Sequence, residues 1–135
     1  MEDSNMSDQK LFKAIVTPDA PSAIGPYSQG VVSGDLLFIS GQLPFEPETG
    51  EFVDGGIEEM THQVIKNTRA IALAAGTDLN RTIKTTIFLT DLANFTAVNQ
   101  IYAQYFTETL PARAVVQVAA LPKGGEIEME SIVQL

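Results

Sequence analysis

Residues 57–90 read IEEMTHQVIKNTRAIALAAGTDLNRTIKTTIFLT, and the change of hydrophobic period along this stretch decides the fold class. From Ile57 the apolar residues Ile57, Met60, Val64, Ile71 and Ala75 recur at a spacing that places them on one side of a helix. Glu58 and Glu59 occupy the first turn, where carboxylates complement the helix dipole, and Gly76 supplies a stop. From Thr82 to Thr90 the period falls to two. Ile83, Thr85, Ile87 and Leu89 alternate with Thr82, Lys84, Thr86 and Phe88, and the β-branched content predicts a strand.

Upstream of this pair, Leu11 to Val16 is a short strand candidate, and Pro18, Pro21, Gly25 and Pro26 keep the chain irregular up to Tyr27. Gly30 to Ser33 and Leu36 to Ser40 flank Gly34-Asp35, the signature of a tight hairpin. A second loop rich in Pro and Gly runs from Gly41 to Gly56. Downstream, Asp91 or Asn94 can cap a second helix whose stripe is Phe95, Val98, Tyr102, Tyr105 and Phe106, extending to about Thr107. Ala112 to Ala119 and Glu126 to Gln134 are β-rich runs joined by the turn-forming Leu121-Pro122-Lys123-Gly124-Gly125, and are expected to pair or to lie close together. The order predicts an α+β domain, one sheet with two helices on one face. Two helices cover only one face of the sheet, and the apolar Val31, Val115 and Ile132 point to burial of the other by a further subunit.

The 135 residues suit a single core. Residues 1–10 are expected to form a disordered tail and residues 11–135 one domain. The chain has no cysteine, which excludes a disulfide framework, a zinc-thiolate site and a thiol nucleophile. Eight basic residues stand against seventeen acidic ones, a formal charge of -9, and the basic residues form no run, so nucleic acid is not an expected partner. The opening MEDSNMSDQ has neither the basic start nor the apolar stretch of a secretory signal. No apolar run approaches the length of about 20 residues that a spanning helix needs. A cytoplasmic, membrane-free setting is expected.

Familiar catalytic motifs are missing from the sequence: no phosphate-cradling loop, no GxSxG, no HExxH, and one histidine, His62, off the main apolar stripe of its helix. No cofactor or metal is expected. Arg113 opens a β-run just after the rigid Pro111; it is either a surface cation paired with one of the acids or a bidentate anchor for a planar carboxylate. Glu126, Glu128 and Glu130 alternate with Ile127, Met129 and Ser131. They are either a solvated face or, in the sharper reading, include one carboxylate held near Arg113 on a neighbouring strand and able to activate water. Tyr27 walls a pocket or packs on the hairpin; Ser40-Gly41-Gln42 receives a small anion or is a plain turn; Asn99 lies inside the second helix, in a site or simply solvated.

Together, Ile24-Gly25-Pro26-Tyr27-Ser28-Gln29-Gly30, Ser40-Gly41-Gln42, and Pro111-Ala112-Arg113 through Leu121-Pro122-Lys123 to Glu126-Ile127-Glu128-Met129-Glu130 resemble the RidA/YjgF (reactive intermediate/imine deaminase) family in order and spacing. The resemblance runs from about Leu11 to Val133. It implies a chorismate-mutase-like fold, a mixed sheet backed by two helices and assembled as a homotrimer with sites in clefts between subunits. It also implies hydrolysis of enamine and imine products of pyridoxal-phosphate enzymes, such as 2-aminoacrylate, 2-iminobutanoate and 2-iminopropanoate, to 2-oxo acids and ammonia. Carried over by position, Arg113 binds the substrate carboxylate and Glu128 holds the attacking water, while Tyr27, Ser40, Gly41 and Asn99 shape the pocket. Many relatives carry cysteine two positions after this arginine; Val115 stands there instead, which removes thiol-based redox activation but not attack by water. Two other functions compete: an endoribonuclease or translation inhibitor, attributed to some relatives, and a non-catalytic trimer that binds a 2-oxo acid or a partner in the same cleft.

Overall fold

The structure is a computed structural model that describes residues 11–135. The tail expected over residues 1–10 lies outside the described residues. Among the described residues the strands are β1 (Lys13–Ile15), β2 (Gly30–Ser33), β3 (Leu36–Gln42), β4 (Thr82–Leu89), β5 (Ala112–Gln117) and β6 (Ile127–Gln134), and the α-helices are α1 (Ile57–Ala74) and α2 (Phe95–Tyr105). All six strands form one sheet in the order β1-β2-β3-β6-β4-β5. Only β4 and β5 run parallel, so the sheet is mixed. Both helices pack on one face: Val64 and Ile65 of α1 and Val98, Ile101 and Tyr102 of α2 share a core with Ile87, Leu89, Ile127 and Met129 of the sheet.

Local sequence explains the elements. Gly34 takes φ +59 at the first position of the two-residue turn between Ser33 and its cross-strand partner Leu36. Helix α1 ends as its glycine predicts: Gly76 adopts φ +88, its N–H reaches the carbonyl of Leu73, and the Thr77 N–H reaches that of Ala72, closing a Schellman motif. Its buried face is more polar than the apolar periodicity implies. Thr61 and Thr68 are buried because their hydroxyls donate to the carbonyls of Ile57 (2.6 Å) and Val64 (2.9 Å), one turn back in the same helix.

Three expectations change. The runs containing β5 and β6, expected to pair or to lie close together, do not pair but lie one strand apart with β4 between them. Both edges of β6 are taken by β3 and β4, and the α2 crossover delivers β5 parallel to the remaining edge of β4. Within β4 the expected alternation slips at its start. Thr82 is buried and Ile83 is 42% exposed, because the register against Val133 and Ile132 inserts an extra residue between Thr82 and Lys84. Val115 faces the helices rather than the open side of the sheet: it pairs with buried Ile87 and packs on the helical core. Val116 takes the outward place, alongside Phe38, both substantially exposed.

Candidate active site

Strand β3 carries a bulge where the site begins. Ile39 faces Ser131 and Gln42 faces Met129, so Ser40 and Gly41 occupy three steps of β3 against two of β6. The Ser40 hydroxyl donates to the carbonyl of Ser28 (2.6 Å), and the Ser40 N–H donates to that of Gln29 (3.0 Å), which locks the bulge to the loop before β2. Glu128, on β6, lies across Gly41. A Cβ on residue 41 would stand 2.7 Å from the Glu128 Cδ and closer still to Oε2, so only glycine admits the carboxylate here. Partial burial holds the Glu128 carboxyl above the ordinary glutamate range, and the neighbouring negative charge of Glu130 adds to the effect.

Tyr27, Ser40, Gly41 and Glu128 together line a cavity of about 740 Å³. Two buried carboxamides fix its walls. The Gln29 side chain accepts from the Thr17 N–H (2.7 Å) and donates to the carbonyls of Thr17 (3.0 Å), Ala20 (3.3 Å) and Pro21 (2.8 Å), fastening the irregular loop that carries Pro21 and Ser22. Asn67, on α1, donates to the carbonyls of Leu43 (3.2 Å) and Phe45 (2.9 Å) and accepts from Gln63 (2.8 Å). Phe45 in turn stacks on Phe52, with ring centroids 4.4 Å apart.

Arg113 and Asn99 lie elsewhere. Arg113 is in register with Thr85, which is fully buried beneath the helices, so its side chain rises on the helical face. There it donates to Asn99 Oδ1 (2.8 Å) and lies over the rings of Tyr102 (4.8 Å) and Phe95 (5.7 Å). The Tyr102 hydroxyl bonds Thr85 Oγ1 (2.8 Å); burial raises the phenol above its ordinary pKa, opposed by Thr85 and by the charge of Arg113. Among the described residues Arg113 has no carboxylate partner. Glu128 is cross-strand from Phe88, which alternates with buried Ile87 and Leu89 and so faces away from the helices. The expected closeness of Arg113 to a carboxylate on a neighbouring strand is therefore absent within one chain. The intervening β4 separates them, and the pleat sends them to opposite faces.

The structure thus joins four of the six predicted residues in one cavity and the other two in a separate cluster. Of the carboxylates expected to share a face, Glu128 and Glu130 line the cavity, while Glu126 precedes β6 and is exposed. Sequence reasoning missed Gln29 and Asn67, whose burial nothing in their polar neighbours announces. It also passed over Lys123, which lines the cavity at φ 57, ψ 24. The stretch Leu121-Pro122-Lys123-Gly124-Gly125 reads as turn-forming, which does not foretell that its lysine takes a left-handed conformation. His62 bonds the Tyr105 hydroxyl through Nδ1 (2.7 Å), a packing role. Among the described residues no group of three His, Asp or Glu side chains is placed to hold a metal.

An α+β sheet with a half-buried carboxylate tucked against a glycine bulge, and an arginine laid on an aromatic pair, defines a class of small single-sheet proteins with a carboxylate-bearing cleft. The sequence profile described as Endoribonuclease L-PSP matches residues 17–135. A RutC family protein of Sinorhizobium fredii is 51% identical over 125 residues, covering 93% of this chain and 99% of its own. The human 2-iminobutanoate/2-iminopropanoate deaminase is 48% identical over 122 residues, 90% of this chain and 89% of its own. The crystal structure of a putative endoribonuclease from Thermotoga maritima superposes with a TM-score of 0.89 at 48% identity, covering 91% of this chain and 97% of that one. The chain belongs to the RidA/YjgF family.

Proposed function

We propose that the protein hydrolyses reactive 2-imino acids, with 2-iminobutanoate and 2-iminopropanoate as reference substrates, to 2-oxo acids and ammonia. The observation that carries this reading is the pair of half-sites: a carboxylate with raised proton affinity in a cavity, and a pre-oriented guanidinium with no carboxylate partner among the described residues. An imine carbon is already electrophilic, so the protein needs only to hold the substrate and place one water. The Arg113 guanidinium takes the substrate carboxylate through two parallel N–H···O bonds. Glu128 takes a proton from the water as its oxygen adds to the imine carbon and passes it to the imine nitrogen, giving a carbinolamine; it then carries the carbinolamine hydroxyl proton to the same nitrogen as the C–N bond breaks, so ammonia leaves, the 2-oxo acid forms and the carboxylate is restored. No nucleophilic side chain or metal is called for in these steps.

The two half-sites sit on opposite faces of one sheet, so the reading includes a homotrimer in which Arg113 and Asn99 of one copy complete the Glu128 cavity of the next. The apolar groups on the helix-free face, Phe38, Val116, Val31 and Ile132, give the copies a surface to bury. A cytoplasmic setting belongs to the same proposal; among the described residues no helix is long and apolar enough to cross a membrane.

The test is ammonia release from freshly generated 2-iminobutanoate. Wild type accelerates it, and Arg113→Ala reduces kcat/KM by about 100-fold or more. Acceleration that survives Arg113→Ala undiminished rules out this mechanism.

A further inference from the structure

A guanidinium that is to receive a carboxylate has to be held without being neutralised. An acid beside it would fix it by filling its in-plane N–H donors, the same donors that the ligand needs. An aromatic ring grips the flat face instead and leaves the edge free. Helix α2 supplies such a ring. Phe95, Asn99 and Tyr102 follow one another at helical spacing, and Arg113 meets all three: Nη1 donates to Asn99 Oδ1 (2.8 Å), and Cζ lies 4.8 Å from the Tyr102 ring centre and 5.7 Å from that of Phe95. The two rings are not equivalent. Phe95 is exposed and farther away, whereas Tyr102 is buried and tied at two points. Its hydroxyl bonds Thr85 Oγ1 (2.8 Å), and its ring stacks on Phe106 with centroids 4.3 Å apart. Thr85 is fully buried and stands directly beside Arg113 in the parallel register of β4 and β5. One tyrosine thus spans from the sheet floor to the cation. Burial keeps its phenol neutral, so the hydroxyl stays available to Thr85 and no phenolate cancels the charge of Arg113.

Building on the proposed deaminase reading, we infer that Tyr102 is a positioning residue: anchored through its hydroxyl by Thr85 and backed by Phe106, its ring orients the Arg113 guanidinium so that the free N–H edge meets the substrate carboxylate. The hydrogen bond to Asn99 sets where the guanidinium ends but leaves it able to swing about that bond. The ring limits the swing and still lets the cation slide across its face. Tyr102 itself touches no substrate and acts through Arg113. A packing role alone would be served as well by an aliphatic side chain of similar size, and that difference is open to experiment.

The deciding experiment compares wild type with Tyr102→Leu and Tyr102→Met, which fill the core without a ring, and with Tyr102→Phe, which keeps the ring. Two readouts are taken on the full chain: kcat and KM for freshly generated 2-iminobutanoate, and NMR relaxation of the Arg113 Nε–H, assigned by its loss in Arg113→Lys. The ring-free variants are expected to raise KM about tenfold with kcat within about threefold of wild type, because the carboxylate contact is made alike in the ground and transition states. The order parameter of the Arg113 Nε–H is expected above about 0.6 in wild type and below it in those variants. Tyr102→Phe, still against the cation but released from Thr85, is expected to lose no more than about threefold in kcat/KM. An unchanged KM or an unchanged order parameter in the ring-free variants, or a Tyr102→Phe as impaired as they are, overturns the inference. Should neither ring-free variant fold, the order parameters of wild type and Tyr102→Phe decide: a value below about 0.6 in either overturns the inference, and values above it in both uphold it. If wild type hydrolyses no imino acid faster than buffer does, the deaminase reading fails on that count alone, and the relaxation data, which need no substrate, still decide whether the ring holds the guanidinium.

Discussion

The Glu128 cavity and the Arg113 cluster differ in how firmly the fold holds them. The cavity is built where β3 and β6 meet, mid-sheet, and its walls are fastened by buried side chains whose hydrogen bonds are filled from backbone carbonyls and amides. Arg113 stands on β5, the edge strand, exposed, and is aimed by one hydrogen bond and two aromatic rings. A rigid receptacle in one place and a lightly tethered cation in another suit the proposed site shared between two copies, in which the cation would have to adjust to a surface its own chain does not supply.

The largest expected effect breaks or upholds that comparison directly. Arg113→Ala and Glu128→Ala are each expected to lose about 100-fold or more of kcat/KM; refolded together at equal amounts, they should recover about a quarter of wild-type activity, the random-mixing value for sites shared between neighbouring copies. No recovery in verified mixed oligomers means that both groups act from the same chain. Next, Gly41→Ala pushes Glu128 from its place and should cost about 100-fold in kcat with the circular dichroism spectrum preserved, whereas Ala at the exposed Gly56, where a Cβ would meet nothing nearer than 3.9 Å, should not. Activity retained in Gly41→Ala would show that the carboxylate position is not critical.

Smaller in activity but plain in stability is Gln29→Ala, which strips partners from the buried Thr17 and Ala20 groups and is expected to cost about 2–3 kcal/mol in denaturant unfolding. Asn99→Ala, at the lightly tethered site, should cost under about 1 kcal/mol while raising KM. Equal costs for the two would erase the contrast between the regions.

The subtlest effect concerns pH. Folding raises the Glu128 pKa, so the folded state favours the protonated form; the ionised carboxylate costs stability once pH passes the unfolded value. Glu128→Gln should therefore melt higher than wild type at neutral pH, with the difference vanishing below the ordinary glutamate range. In turnover, the acid limb should sit above that range, and Glu130→Gln should shift it slightly downward, since burial rather than Glu130 is the larger cause. A limb that does not respond to Glu130→Gln would point to a different titrating group.

The strong periodicities carried most of the fold. The 3.6-residue stripe from Ile57, the Gly34-Asp35 turn and the alternation from Thr85 to Leu89 each dictate a local geometry that tertiary contacts then keep. What escaped reading depends on distant partners. The Ile83 bulge exists only against Ile132 and Val133, and the place of β4 between β5 and β6 follows from which edges remain free. The candidate site was legible as a set of residue types, but its division into two was not, because that division follows from strand order and pleat parity together. Gln29 and Asn67 look solvated in sequence; only the loops that fold over them make them interior.

Those two carboxamides have a consequence for how the molecule answers acid and base. Neither has a proton to gain or lose across the physiological range, so the clasps around the cavity are blind to pH while the carboxylate they surround is not. Under the proposed function, a change in turnover with acidity then reports a change of charge inside a vessel of constant outline, and the parts that hold stay separate from the carboxylate proposed to react.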